Sequence, residues 1–234
     1  MANITPEQLA KWLAEVLRDR LKCVLLYGSA AAGDFVEGES NYNLLLIVEP
    51  LGLPELKVAG PPLAAWDRAG HVSPMLFTPE QLKSSLDAFP IEMLDIQQAR
   101  RVLHGPDLLA DQRIEPIHLR LAVERELTGK LLALRGKYAI VADDPRTVKQ
   151  LMLGSLSTFL VLFRAALRLY QPEVPSTKLE ATQALARYID FDPQPFERLF
   201  ETKQSDARPG AVEVQFSAYL ASIETVVRAI NQFR

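Results

Sequence analysis

Apolar positions in the first half of the chain switch between two periods. Leu9, Leu13, Val16 and Leu17 recur at helical spacing. They follow Thr5-Pro6-Glu7, where threonine caps, proline takes the first helical position and glutamate sits in the first turn. Lys22 to Tyr27 is a short apolar run stopped by Gly28-Ser29, which predicts a buried strand and then a short helix. Asn43 to Glu49 is a second such run, stopped by Pro50, and its head carries polar Asn41 and Asn43 at alternate positions. Proline and glycine punctuate 50–62, which predicts a loop. Val72 to Phe77 predicts a third strand; Pro74 cannot donate to a ladder, so this strand belongs at an edge or a bulge. Thr78-Pro79-Glu80-Gln81 repeats the helix start. Leu94 to Leu103 is a strand or a helix, which periodicity does not decide, and His104-Gly105-Pro106-Asp107 is a turn.

The second half has one period only. Leu119, Val123, Leu127, Leu131 and Leu134 form a helical stripe within 114–137. Asp143-Asp144-Pro145 caps a helix over 145–170 that is apolar on most faces, as a helix central to a bundle must be. Shorter helices are expected at 176–189 and 194–203, a loop at 204–210 and a last helix at 211–233. The expected class is therefore α+β: a small mixed-sheet domain over 1–112, then an all-α helical bundle over 113–234.

Composition narrows this little. The chain has 234 residues, enough for one large domain or two small ones, and 48% hydrophobic with 24% charged residues is ordinary for a globular protein. A formal net charge of −3 supplies no bulk attraction to nucleic acid or to anionic lipid. The single cysteine, Cys23, excludes an intrachain disulfide and a cysteine-based zinc site, and its apolar strand makes it a small buried hydrophobe. The N-terminus lacks a basic region followed by an apolar run, so no signal peptide is expected. Gly154, Ser155, Ser157, Thr158, Arg164 and Arg168 interrupt the apolar stretch from Leu151 to Leu169, which argues for a bundle helix over a membrane span. The expected setting is the cytoplasm.

The chemistry-bearing stretch is Leu25-Leu26-Tyr27-Gly28-Ser29, then, eleven residues on, Asn41-Tyr42-Asn43-Leu44-Leu45-Leu46-Ile47-Val48. It resembles the signature of the DNA polymerase β-like nucleotidyltransferase superfamily. In that family Gly-Ser is followed by Asp-x-Asp/Glu at the head of the next strand. The order of parts, a minimal catalytic domain before a helical bundle, also resembles small bacterial members. The specific resemblance covers about the first 80 residues.

The resemblance implies transfer of a nucleoside monophosphate from a nucleoside triphosphate to a hydroxyl. Two magnesium ions held by three carboxylates would neutralise the phosphates. Gly28 and Ser29 match the turn that meets phosphate, with glycine permitting close backbone approach. Asn41 and Asn43 stand where the first two metal carboxylates would be, and each offers only a neutral oxygen. The third acid is expected within 72–77, which contains none; Pro74 stands near its place. Asp34, Glu37 and Glu39 read as acids solvating a surface loop.

The expectation is a degenerate, catalytically inactive homologue with no metal cofactor. Its partner is a nucleotide or small molecule in the cleft, or a protein or second copy; no membrane and no nucleic acid is expected. The alternative is a working magnesium-dependent transferase acting on a small-molecule hydroxyl, with a nucleoside triphosphate as donor. A plain interaction module is the third reading. His71, His104 and His118 lack metal-ligand spacing, and Arg100-Arg101 reads as a solvated face.

Overall fold

The computed structural model describes residues 4–32, 41–201 and 209–233. Helix α1 (Pro6–Leu17) opens as the sequence predicts: the Thr5 side chain accepts from the Gln8 amide, and Gln8 returns a bond to the Thr5 amide. A short 3-10 turn (Arg18–Arg20) leads into β1 (Leu21–Tyr27), α2 (Ser29–Ala32) and β2 (Asn43–Val48). Helix α3 (Leu53–Arg68), β3 (Met75–Phe77), α4 (Pro79–Ser84), α5 (Pro90–Gln98) and β4 (Arg100–His104) follow. The four strands form one mixed sheet in the order β3-β2-β1-β4. β1 runs antiparallel to both β2 and β4, while β3 is an edge strand parallel to β2.

The sheet is covered on both faces, so its central strands read as unbroken apolar runs. Val24 and Leu26 of β1 join Leu44, Leu46 and Val48 of β2 in a core with Leu9, Leu13 and Leu17 of α1 and with Ala59 and Trp66 of α3. On the other face Cys23, Leu25, Leu45 and Ile47 pack with Leu82 of α4 and with Met93 and Ile96 of α5. Burial pushes the Cys23 thiol up to about 11, so it acts as packing and not as a nucleophile.

Three expectations change. Residues 53–68, expected to begin within a loop, are helix α3 despite Pro61 and Pro62. Proline breaks a helix interior by a missing donor and a clash one turn back. Here the cost is offset by an N-terminus in which the Glu55 side chain accepts from Gly52 N–H (3.0 Å), and by burial of Ala59, Pro62 and Trp66. Leu94–Leu103 is neither one strand nor one helix: α5 ends at Gln98 and β4 begins at Arg100. The third strand is shorter than 72–77, because the chain enters the ladder only after Pro74.

From Pro116 the chain is helical: α6 (Pro116–Val141), α7 (Pro145–Leu167), α8 (Lys178–Leu185), α9 (Gln194–Glu201) and α10 (Pro209–Gln232). Contacts divide the chain into two compact units, Met1–Glu115 and Pro116–Arg234. In the second, α7 touches α6, α8, α9 and α10. It is long and apolar enough to cross a membrane by length and composition. Its buried Met152, Phe159, Leu160 and Phe163 are instead used inside the bundle. Phe163 meets Phe196 edge-on at 5.0 Å, and Tyr219 of α10 meets Phe159 edge-on at 6.0 Å.

Candidate functional site

The polar site grows from one turn. β1 ends at Tyr27, and Gly28 takes φ +80°, a left-handed conformation that favours glycine. Its amide donates to the Ala99 carbonyl (3.0 Å), tying the turn to the start of β4. Ala31 N–H donates back to the Gly28 carbonyl (3.0 Å). Two of the turn's amides are thus committed within the fold. By helix geometry the amides of Ser29 and Ala30 are first-turn donors that a ligand can use. The side chain of Ser29 lies outside the described residues, as do Asp34, Glu37 and Glu39.

Asn43 lies beside this turn. A Cβ on Gly28 would sit 3.2 Å from Asn43 Nδ2, so glycine makes room for the amide. In the antiparallel ladder Tyr27 is opposite both Asn43 and Arg100. Directly opposed residues share a face, so Asn43, Tyr27 and Arg100 form one polar rung across three strands. It lies on the face covered by α4 and α5, beyond the apolar Leu45 and Leu25. Asn41 is exposed, two residues earlier with the same parity, and Asn43 is half-buried. Tyr42 between them turns to the opposite face, where it meets His71 edge-on at 5.5 Å. The His71 ring also packs at a tilt against Trp66, centroids 4.0 Å apart, and Nε2 lies 3.1 Å from the Ile4 carbonyl. His71 is therefore a packing residue rather than a surface one.

The rung is electrically mixed. Burial pushes the Tyr27 phenol up, and the nearby Glu92 carboxylate of α5 adds to the rise. Tyr27 therefore offers a neutral hydroxyl at neutral pH. Arg100 Nε donates to Asp107 Oδ2 (2.8 Å), and its Nη1 donates to the Gln97 carbonyl. Arg101, on the opposite face, pairs with Glu7 (2.5 Å) and holds the Glu7 carboxyl below its usual range. Both arginines are thus ion-paired rather than simply solvated.

These residues do not fit a magnesium pair. Magnesium asks for anionic oxygens in near-octahedral array. The rung offers a carboxamide, a phenol and a guanidinium. Met75 pairs with Leu45, so Met75, and Ser73 two residues before it, share parity with Asn43, while Pro74 belongs to the other set. Ser73, just before β3, is exposed. Among the described residues no group of three His, Cys, Asp or Glu side chains could hold a metal ion. Among the described residues the rung can hydrogen-bond a polar ligand and itself contributes no carboxylate.

The sequence singles out Gly28, Asn41 and Asn43, of which the structure sets Asn43 against Gly28; it does not single out Tyr27 or Arg100 as partners of Asn43 on the rung. Tyr27 was visible as the last strand residue, yet its role depends on the register of β4.

No protein-family model and no curated protein matches the chain. Among solved structures it is similar to spectinomycin adenyltransferase AAD(9) from Enterococcus faecialis, solved with ATP and spectinomycin, with a TM-score of 0.54 and 12% sequence identity. The similarity covers 94% of this chain and 98% of that one. At this identity the match shows the fold: an α+β nucleotidyltransferase fold with a small mixed sheet and a helical second half.

Proposed function

We propose that this chain is a nucleotidyltransferase-fold binding protein, not a metal-dependent transferase, and that the strand-head cleft takes a nucleotide or another polar small molecule. The observation that carries the reading is Asn43, a neutral amide seated against the Gly28 turn; the family resemblance implies a metal carboxylate at that position. Asn41 repeats the loss two residues earlier, and Ser73 offers only a hydroxyl. The neighbouring structure was solved with ATP and a small molecule, which supports a ligand of that class here. The reading assigns the cleft to a domain over 1–112, the helical bundle to 113–234, and the site of action to the cytoplasm.

Titration calorimetry with ATP, with and without magnesium, tests this. The native chain should bind ATP weakly and indifferently to magnesium. Asn41→Asp combined with Asn43→Asp should gain magnesium-dependent binding of about tenfold or more. Pyrophosphate release by the native chain would overturn the reading. A double variant with no gain in metal affinity would count against the placement of the site.

A further inference from the structure

A groove of about 330 Å³ lies between α6 and α7, wholly within the helical unit. Its rim carries Lys130 and Lys137, its α7 side carries Gly154, Ser155 and Thr158, and Leu134 and Phe159 give it an apolar floor. The lysines are seven residues apart, two helical turns or about 10.5 Å along the axis. Among the described residues no acidic side chain lines the groove and neither lysine has an ion-pair partner. Glu126, one turn before Lys130, is engaged by Arg125 at 3.6 Å. The groove is thus a local cationic patch on a chain of net charge −3.

Gly154 sharpens its character. It sits in the interior of a long helix, where glycine is less favourable than alanine. A Cβ built on it would meet nothing within 4 Å, so no neighbour in the fold requires the missing side chain. What its absence does is leave the α7 backbone open to the groove. Below it, Ser155 Oγ is 3.0 Å from Tyr219 Oη and 3.1 Å from the Met152 carbonyl, which fixes the hydroxyl against the buried Tyr219. Thr158 adds a second hydroxyl one turn on.

The geometry points to a second ligand site here, separate from the strand-head cleft, for a small phosphorylated molecule with at least two negative charges. The two lysines meet the anionic oxygens as flexible point charges. The Thr158 hydroxyl adds a directional bond, whereas the Ser155 proton stays on the Met152 carbonyl, and the apolar part of the ligand rests on Leu134 and Phe159. The volume lies at the lower end of the usual range for small-molecule sites.

Inorganic tripolyphosphate, titrated into the full chain at low salt without added metal, is the probe. The native chain should bind it, and affinity should fall as salt rises. Lys130→Ala and Lys137→Ala should each cost about tenfold. Gly154→Leu should abolish binding while leaving the melting temperature equal or raised, because leucine is a better helix former and enters open space. The stability readout separates a blocked groove from a misfolded bundle. Absence of binding by the native chain overturns the proposal. So does binding that survives both lysine changes, or binding unaltered by Gly154→Leu. Binding that survives these changes would belong to another site such as the strand-head cleft, whose residues are untouched.

Discussion

Gly28 and Gly105 show how differently two left-handed glycines constrain one chain. Gly28 has φ +80°, and its missing Cβ would approach only the far end of the Asn43 side chain, at 3.2 Å. Gly105 has φ +72°, and its missing Cβ would fall 2.0 Å from the Lys22 carbonyl oxygen. A side-chain amide can rotate away; a carbonyl inside β1 cannot move without disturbing the sheet. Gly28→Ala should therefore cost about 1–2 kcal/mol, mostly backbone strain. Gly105→Ala should cost at least twice that and reduce folded yield. Urea denaturation of the two variants checks the order, and equal costs would contradict it. Gly28→Ala should also displace the Asn43 amide, so its nucleotide affinity should fall while the fold survives.

At the scale of elements, α3 depends on its first turn more than its sequence suggests. Glu55 accepts from Gly52 N–H, and Arg20 Nη1 reaches Glu55 Oε1 at 3.1 Å. The Gly52 bond foremost, with the residue's own amide and Arg20, holds the Glu55 carboxyl below its ordinary 4.5. A depressed carboxylate contributes stability above its unfolded value and loses it as pH falls through the folded one. The melting temperature of the native chain should thus exceed that of Glu55→Gln above pH 4.5. The gap should close as the pH is lowered; a constant gap would mean that the carboxylate charge is not what fixes the turn. The same helix marks where sequence reading ran out. Pro50, Gly52, Pro54, Gly60, Pro61 and Pro62 argue locally for a loop, and only the core that Trp66 and Ala59 enter overrides them. By contrast β1, β2 and the Thr5 and Thr78 caps were legible, because apolar runs and capping boxes are local signals. The site was half legible for the same reason. Asn41 and Asn43 are neighbours in sequence, whereas Arg100 joins Asn43 and Tyr27 only through the register of β4.

At the scale of the whole molecule, two cores built on different principles lie along one chain. The first is a sheet with helices on both faces, in which β1 and β2 are buried along nearly their whole length. The second is a bundle around α7, in which the rings of Phe159, Phe163, Phe196 and Tyr219 interlock. Burial pushes the Tyr219 phenol up strongly, so it stays neutral and keeps its bond to Ser155 across the usual pH range. Cooperative opening units tend to follow such clusters of mutually packed elements. Phe163→Ala removes a fully buried ring that touches Phe159, Phe191 and Phe196. It should destabilise the bundle by about 3–5 kcal/mol. In amide hydrogen exchange, protection should fall throughout α6, α7 and α10 and much less in β1 and β2. The converse change, Leu25→Ala in the sheet, should invert that pattern, since Leu25 belongs to the sheet cluster with Leu45, Met93 and Ile96. Equal loss in both units from either substitution would mean that the chain opens as one unit. Ligand effects at the strand-head cleft would then be inseparable from the stability of the bundle.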